Sequence, residues 1–326
     1  MRILGLSFGR KMKNCEIMVK SALMEAEKAG ADVAFIRMID MDIKTCTGCG
    51  GCGRSLDSGG NGRCIIKDDL PYVDEEFLKA DAIIVAAPVY ALGPSGQLKQ
   101  MADRMGPSHD LAFLTKANEQ RIADGKTGDQ LVDPRNFKQR YAGLISVGGA
   151  STRNWTSFGL PIMHILCFPS HIKVIDQIDA YNMGGIAHPL LDEQLMARVA
   201  RMGRNIAQAC GKPHSEVPFM GDEKGTCPVC NCDLLTVRGS TTVECPICGI
   251  YGQLSVEGDK VQVTFSEAEQ KRSRLNYDGK LEHYVEIKGF GAIAGPKIKA
   301  AGDALNDKIK TFENYRELKF HRELKL

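Results

Sequence analysis

The alternation of short apolar runs with helix-like stretches over the first 180 residues is the feature that most constrains the fold. One helix-like stretch, CEIMVKSALMEAEKAG, has apolar residues at helical spacing and ends at Gly30. Strands that alternate with helices form right-handed βαβ units and a parallel sheet. Five strands suit the doubly wound α/β order 2-1-3-4-5, whose ligand crevice lies between strands 1 and 3 at their carboxyl ends. The predicted strands are Ile3–Phe8, Val33–Ile39, Ala82–Ala87, Tyr141–Val147 and Ile172–Ile178.

The 326 residues suffice for one large domain or two smaller ones. A last helix, LLDEQLMARVARMGRNIAQACG, predicts that the parallel-sheet domain ends at Gly211. A polar segment before strand 4, Gly106–Phe137, is long for a connection, and we interpret it as an insertion near the crevice with a lid as one role. The predicted parts are a domain at 1–211 with a Cys-rich loop at 44–66, a linker at 212–225, a small β-rich domain at 226–265 and a helical extension at 266–326.

The C-terminal extension carries an amphipathic helix pattern. Ile298, Leu305, Ile309 and Phe312 recur on one helical face. Such a face predicts packing on a core or on a partner subunit, so we expect a homo-oligomer.

Composition excludes several classes of protein. Lys and Arg total 42 against 40 Asp and Glu, so the net charge of +2 predicts no nucleic-acid partner and no anionic membrane partner. The longest apolar stretch, Ala82–Gly93, is too short to span a bilayer. The first residues lack the pattern of a secretory signal. Nine of the twelve cysteines lie in two groups built on C-x-x-C spacing, which favours metal ligation over disulfides, and we expect a cytoplasmic location.

The loop after strand 1 is a candidate anion site. It runs from Ser7 through Arg10 to Asn14 and Cys15, where a helix opens. The free N–H groups and the dipole of a helix N-terminus favour phosphate. The loop lacks G-x-x-x-x-G-K-[ST] and G-x-G-x-x-G, so it is neither a Walker loop nor a dinucleotide fingerprint. An ordinary strand–helix turn is the alternative.

Two further segments follow predicted strands, PVYALGPS with LK and DR after strand 3 and GGAS after strand 4. With the S-x-x-R…N loop, they resemble the flavodoxin-like, NAD(P)H-dependent FMN reductase superfamily over residues 1 to about 210. The resemblance implies that Ser7, Arg10, Asn14 and adjacent backbone hold the FMN phosphate. Cys15 departs from the Thr or Ser usual there, and a thiol is a weaker donor. The implied flavin-ring neighbours are Pro88, Val89, Tyr90, Ala91, Leu92, Gly93, Ser95, Gly148 and Gly149.

The first cysteine group consists of Cys46, Cys49, Cys52 and, after eleven residues, Cys64. Two tandem C-x-x-C steps let three thiolates face one centre, and a distant fourth completes a [4Fe–4S] ligand set. Zinc also accepts four thiolates, and inherited cysteines without a cluster are the further alternative. Together with the acidic pair after Cys64, Asp68-Asp69, the group resembles the iron–sulfur flavoprotein branch of the same superfamily.

The second cysteine group has the spacing C-x2-C-x14-C-x2-C, formed by Cys227, Cys230, Cys245 and Cys248. Two such knuckles on a β-hairpin predict a tetrahedral zinc ribbon. Iron in a rubredoxin-like site is the alternative metal. Cys232 is a spectator or a replacement for Cys230.

These features predict an FMN-dependent iron–sulfur oxidoreductase with an appended zinc ribbon. Electrons would pass from a one-electron donor such as a ferredoxin through a [4Fe–4S] cluster to FMN and then to a small-molecule acceptor. No side chain stands out as a general acid or base. The alternatives are an NAD(P)H-dependent FMN or quinone reductase without a cluster and a non-catalytic zinc-ribbon binding or regulatory protein.

Overall fold

The computed structural model describes residues 1–222, 224–313 and 315–316. The chain divides into two units, Met1–Leu281 and Glu282–Leu326. The first unit contains both sheets. None of the predicted domain limits, at 211, 225 and 265, coincides with this division, and they stay predictions.

A parallel sheet forms the centre of the first unit, in the order β2-β1-β3-β5-β6. The short strand β4 pairs only with the end of β3, in antiparallel fashion. Without it, the order is 2-1-3-4-5, so the predicted doubly wound fold is confirmed. The strands are β1 (Arg2–Ser7), β2 (Asp32–Arg37), β3 (Ala82–Tyr90), β4 (Gly93–Pro94), β5 (Arg140–Val147) and β6 (Ile172–Ala180).

Helices cover both faces of this sheet, which explains why every residue of β5 is buried. On one face Met18 and Met202 belong to a core of aliphatic side chains, and Phe77, Leu98 and Met101 belong to the core on the other face. The helices are α1 (Asn14–Lys28), α2 (Gly51–Asp57), α3 (Leu70–Lys79), α4 (Gly96–Arg104), α5 (Gly106–His109), α6 (Leu111–Ala123), α7 (Gly159–Met163), α8 (Met183–Ile186) and α9 (Glu193–Ala209).

The insertion Gly106–Phe137 packs against the Cys-rich loop at 44–66, which we call the cysteine loop. Leu56 of that loop shares a small core with Leu114 and Val132 of the insertion. Arg121 donates to the Gly60 carbonyl at 2.6 Å. The structure therefore shows that the insertion supports the cysteine loop, and its role as a lid stays a prediction.

A second, antiparallel sheet in the order β10-β9-β8-β7 follows the parallel-sheet region. Its core consists of cysteines and Ile250, as the predicted small β-rich domain requires. We call it the small sheet. Its strands are β7 (Thr236–Val237), β8 (Thr242–Glu244), β9 (Tyr251–Glu257) and β10 (Lys260–Thr264).

Two helices follow, α10 (Glu267–Lys271) and α11 (Tyr277–Lys310). Helix α11 is the predicted C-terminal helix, and Gly302 interrupts it with φ 50°. On its predicted apolar face, Ile298 and Ile309 are 60% and 52% exposed, so the expected packing of this face stays a prediction. Residues 317–326 of the predicted extension lie outside the described residues. Among the helices that the structure describes, none is both long and apolar enough to cross a membrane.

Candidate functional site

The loop between β1 and α1 presents a helix N-terminus to the carboxyl edge of the sheet. Helix α1 begins at Asn14, and no side chain of the described loop caps its first turn. Its first N–H groups are therefore available to an anion. Arg10 is exposed beside them, and Ser7 is buried with its Oγ 3.3 Å from the Gly9 N–H. This arrangement fits a phosphate group.

Cys15 supports this loop from inside the protein. Its side chain is only 3% exposed, and a Cβ on Gly9 would lie 2.7 Å from Cys15 Cβ. Burial raises the pKa of the Cys15 thiol to about 12, so it is neutral. The structure thus places Cys15 in the core beneath Gly9, and its predicted part in phosphate binding stays a prediction.

Glu16 is a residue that the sequence analysis missed. Its side chain is fully buried, and it accepts hydrogen bonds from the Met12 N–H at 3.1 Å and from Arg37 Nε at 2.7 Å. Lys20 Nζ lies 2.6 Å away. The hydrogen bond from Arg37, assisted by Lys20, lowers the pKa of Glu16 to about 2 despite its burial. Glu16 therefore connects the loop to the end of β2. The sequence signal that could have indicated this role is an acidic residue in the first turn of a helix.

The predicted flavin-ring segment forms a tight hairpin from β3 to β4. Ala91 and Leu92, at its tip, both have left-handed backbones, with φ of 48° and 73°. Non-glycine residues in this region cost about 1–3 kcal/mol each and concentrate at functional sites. Tyr90 is 62% exposed. The Ser95 hydroxyl at the end of the hairpin is buried without a hydrogen-bond partner in the described structure, which leaves it available to a bound group.

The Gly148–Gly149 segment lies beside this hairpin. Pro88 of β3 pairs with Val147 of β5, so the two segments leave the sheet at the same edge. The N–H groups of Met183 and Gly184 fix the segment by donating to its two carbonyls at 3.0 Å. Ser7 pairs with Ala86 at that edge as well. The structure therefore brings the three predicted flavin segments to one edge of the sheet, where their polar and glycine residues fit FMN.

The cysteine loop leaves the same edge after β2. Cys46 and Cys49 are exposed, and Cys52 and Cys64 are half-buried. A hydrogen bond from the Gly51 N–H is the largest of the effects that lower the pKa of Cys49. Among the described residues, these four thiols do not form a group tight enough for one ion. A four-iron cluster carries each thiolate on a different iron, which calls for a wider spacing. The donor set and its accessibility fit such a cluster.

Arg104 and Asp68 close the neck of this loop. Arg104 Nη1 donates to Asp68 Oδ2 and to the Lys44 carbonyl, both at 2.6 Å, and both ion-pair side chains are fully buried. Arg104 Nε also donates to Cys64 Sγ at 3.1 Å. Burial raises the pKa of Asp68, but hydrogen bonds from Arg104 and two backbone N–H groups together lower it below its ordinary value. Asp68 belongs to the acidic pair after Cys64, and Arg104 belongs to the DR segment after strand 3, but the sequence alone indicated no role for either residue.

The second cysteine group forms a compact site in the small sheet. The sulfurs of Cys227, Cys230, Cys245 and Cys248 all lie within 4.8 Å of one another, and all four side chains are buried. Four thiolates at this spacing fit a tetrahedral metal ion. Cys232 lies outside the group, and its sulfur accepts the Leu234 N–H at 3.3 Å.

The chain is similar to one known protein family and to proteins of known structure. The family described as NADPH-dependent FMN reductase matches residues 1–158. A flavone synthase of Aspergillus candidus is 30% identical over 322 residues, which cover 97% of each chain. A solved flavone reductase superposes with a TM-score of 0.80 and 26% identity, over 98% of this chain and 100% of the other. An iron–sulfur flavoprotein of Methanosarcina thermophila is 37% identical over 105 residues, 32% of this chain and 52% of that protein.

Proposed function

The chain belongs to the NADPH-dependent FMN reductase family and is a flavin-dependent oxidoreductase, and on that basis we propose that it transfers electrons from a one-electron protein donor to a small acceptor. The proposed route runs through a [4Fe–4S] cluster on Cys46, Cys49, Cys52 and Cys64 to FMN. Family membership removes the alternative of a non-catalytic regulatory protein.

One observation carries the proposal. Arg104 holds Cys64 and the Lys44 carbonyl, and it lies at the end of helix α4. That helix begins directly after Ser95, the last residue of the predicted flavin hairpin. A single rigid helix therefore supports both the cysteine loop and the flavin crevice. This shared support favours electron transfer between two redox groups.

The side chains and backbone would perform distinct tasks. When bound, FMN supplies one- and two-electron chemistry and an iron–sulfur cluster supplies one-electron transfer. The uncapped N-terminus of α1 and Arg10 would bind the phosphate. The Pro88–Ser95 hairpin and Gly148–Gly149 would orient the ring. The N–H of Arg104 would stabilise the Cys64 thiolate, because hydrogen bonds to charged groups are the strong ones.

For the small acceptor, we propose an aromatic carbonyl compound of the flavone type. The support is that the two full-length relatives are called flavone synthase and flavone reductase. For the small sheet, we propose zinc in a structural site, because both CPxC knuckles are buried. A homo-oligomeric state and a ferredoxin as donor remain proposals from the sequence.

A second candidate is an NAD(P)H-dependent FMN or quinone reductase whose cysteine loop holds no cluster. The exposure of Cys46 and Cys49 and the description of the matching family favour it. The two candidates differ in their electron source and in their iron content.

Anaerobic stopped-flow mixing distinguishes them. We expect a reduced low-potential ferredoxin to reduce the flavin faster than NADPH or NADH does. Cys49→Ala should lose iron, sulfide and the ferredoxin route while it keeps FMN. Cys210→Ala, outside both cysteine groups, is the matched control and should keep all three. Rapid, saturable reduction by NADPH that Cys49→Ala leaves unchanged, in a protein without iron, would establish the second candidate instead.

A further inference from the structure

A cavity of about 450 Å³ lies between helix α3, the cysteine loop and the insertion Gly106–Phe137. The residues that line it include none of the predicted flavin residues and none of the cysteines. We propose that this cavity binds an organic anion, a carboxylate with an aromatic or aliphatic body, and that Arg63 and Arg121 hold the carboxylate group. Such a site lies apart from the flavin segments, and binding there needs no electron transfer.

Arg121 is a buried cation without an anionic partner. It is only 8% exposed and lines the cavity from helix α6. Its Nη2 donates to the Gly60 carbonyl at 2.6 Å and its Nη1 to the Gln130 carbonyl at 3.4 Å, and it forms no ion pair with any described residue. Its Nε has no partner either, yet it is not among the fully buried unpartnered atoms, so it faces open space. A buried charge without a counterion is costly, and a bound carboxylate would supply one.

Arg63 provides a second cation, from the cysteine loop. It is half-buried and lines the same cavity, and its guanidinium has neither a hydrogen bond nor an ion pair in the described part of the chain. Its charge acts through space to lower the pKa of Asp74 and of Asp133, both of which line the cavity. A guanidinium keeps its charge in proteins and binds a carboxylate through two parallel N–H groups. The two arginines therefore offer an unused anion-binding pair.

The acidic groups at the cavity do not cancel this positive charge. Asp133 is already paired with Arg135, whose Nη2 lies 2.7 Å from Asp133 Oδ2, and Asp129 is exposed at the rim, where solvent screens it. Burial raises the pKa of Asp74, which favours its neutral form. His109 Nε2 lies 3.4 Å from Asp74 Oδ1, and burial lowers the pKa of His109, so its ring is neutral near pH 7. Two guanidiniums thus face at most one buried carboxylate.

The other walls of the cavity suit the apolar body of such an anion. Its volume lies within the ~300–1,000 Å³ of small-molecule sites, which combine apolar walls with a few polar groups. Asn61 and Asp129 are exposed at the rim, so a ligand can enter from solvent. The apolar residues of the lining are Leu56, Leu78, Leu114, Leu131, Val132 and Pro134.

A carboxylate held by both arginines would link the cysteine loop to the insertion. Arg63 belongs to the loop, and Arg121 belongs to the insertion and already holds the loop at Gly60. A ligand that binds only the ordered loop stabilises that loop by mass action. The site would therefore couple the concentration of an organic anion to the order of the loop that carries the first cysteine group.

Calorimetric titration with 2-naphthoate tests the site in the full-length, FMN- and metal-loaded, oxidised protein. We expect saturable binding that leaves the flavin absorbance unchanged, because no predicted flavin residue lines the cavity. 2-Naphthamide has the same shape without the charge, and inorganic phosphate has charge without the apolar body. Both should bind at least tenfold more weakly. Equal binding of either one would overturn the proposed class of ligand.

Variants then locate the binding. Arg63→Gln should weaken 2-naphthoate binding about tenfold, the value of one lost hydrogen bond to a charged group. Arg54→Gln makes the same change at an exposed position of the same loop outside the cavity and should keep the affinity. Leu131→Trp should fill the cavity and abolish binding, whereas Ile122→Trp, 57% exposed on helix α6, should leave binding unchanged.

Flavin absorbance and metal content in each variant verify that it is folded. The absence of saturable binding by the wild type would overturn the proposal, and so would equal affinities of the wild type and Arg63→Gln. Neither result bears on ferredoxin-driven reduction or iron content, which test the proposed function separately.

Discussion

Arg104 and Asp68 form an ion pair that is fully withdrawn from solvent, 36 residues apart in the sequence, with Nη1 and Oδ2 separated by 2.6 Å. Asp68 also accepts the Lys44 N–H at 2.9 Å, so the pair joins the start of the cysteine loop to its end. A long, Gly-rich loop loses much conformational entropy when it is ordered. The buried ion pair already holds the two ends of the loop together. Cluster binding therefore has less of this entropy cost to offset.

Replacement of Arg104 should loosen the loop. Arg104→Gln leaves Asp68 as a buried charge without its partner, which typically costs about 3–5 kcal/mol. We expect a large drop in the free energy of unfolding, measured by urea denaturation, and a loss of bound iron with FMN retained. Lys99→Ala removes an exposed ion pair with Asp103 on the same helix and should have little effect. Unchanged stability and iron content in Arg104→Gln would contradict this role.

Glu16 should stabilise the phosphate loop in a pH-dependent way. Its folded pKa of about 2 lies below the ordinary value of 4.5, so its contribution is complete above about pH 5 and disappears as pH falls toward 2. Glu16→Gln should cost about 1–3 kcal/mol near pH 7, because Arg37 and Lys20 lose a charged partner.

Urea denaturation of the wild type and of Glu16→Gln between pH 7 and pH 3 measures the difference between their free energies of unfolding. This difference should become smaller as the pH falls. Glu25→Gln on the same helix, near Lys28 and Arg204, is the control and should have a small effect. A gap between wild type and Glu16→Gln that widens in acid would reverse the sign of the argument.

Gly9→Ala should weaken FMN binding. The added Cβ would lie 2.7 Å from Cys15 Cβ, closer than real contacts allow, so the loop or the start of α1 must move. Overpacking of this kind costs about 1–3 kcal/mol. Flavin release into the filtrate during dilution measures the loss. Gly53→Ala has open space around its Cβ and should retain flavin. Equal retention by both variants would show that the loop adapts without cost.

The small sheet should depend on its metal. Cys245→Ser removes one of four thiolates, and small metal domains owe much of their folding energy to the ion. We expect the loss of one zinc per chain and faster proteolysis after Gly225, with flavin retained. Cys232→Ser should keep the zinc, because that sulfur lies outside the four-thiol group. Metal analysis by mass spectrometry decides the result, and a zinc-free Cys232→Ser variant would count against this ligand set.

Local patterns determined much of this protein. The five apolar runs became the parallel strands within one or two residues, apart from β3, which ends three residues later, because burial on both faces selects continuous apolar sequence. The spacing of Cys227, Cys230, Cys245 and Cys248 located the four-thiol site because two knuckles on one hairpin meet over a short chain length. The resemblance to a family predicted the flavin segments, and the structure places each of them after a strand that ends at the same edge.

Only the tertiary structure decided which distant side chains meet. The bonds of Arg104 to Asp68 and Cys64, and of Gln177 to Asn231, join elements whose relative positions depend on packing. Nothing in the local sequence distinguishes Asp179 from other acidic residues in strands. Burial by the fold raises the pKa of Asp179 against opposing hydrogen bonds from Thr156 and Ser146. Desolvation and pairing are properties of three-dimensional surroundings, so they decided the neck of the cysteine loop.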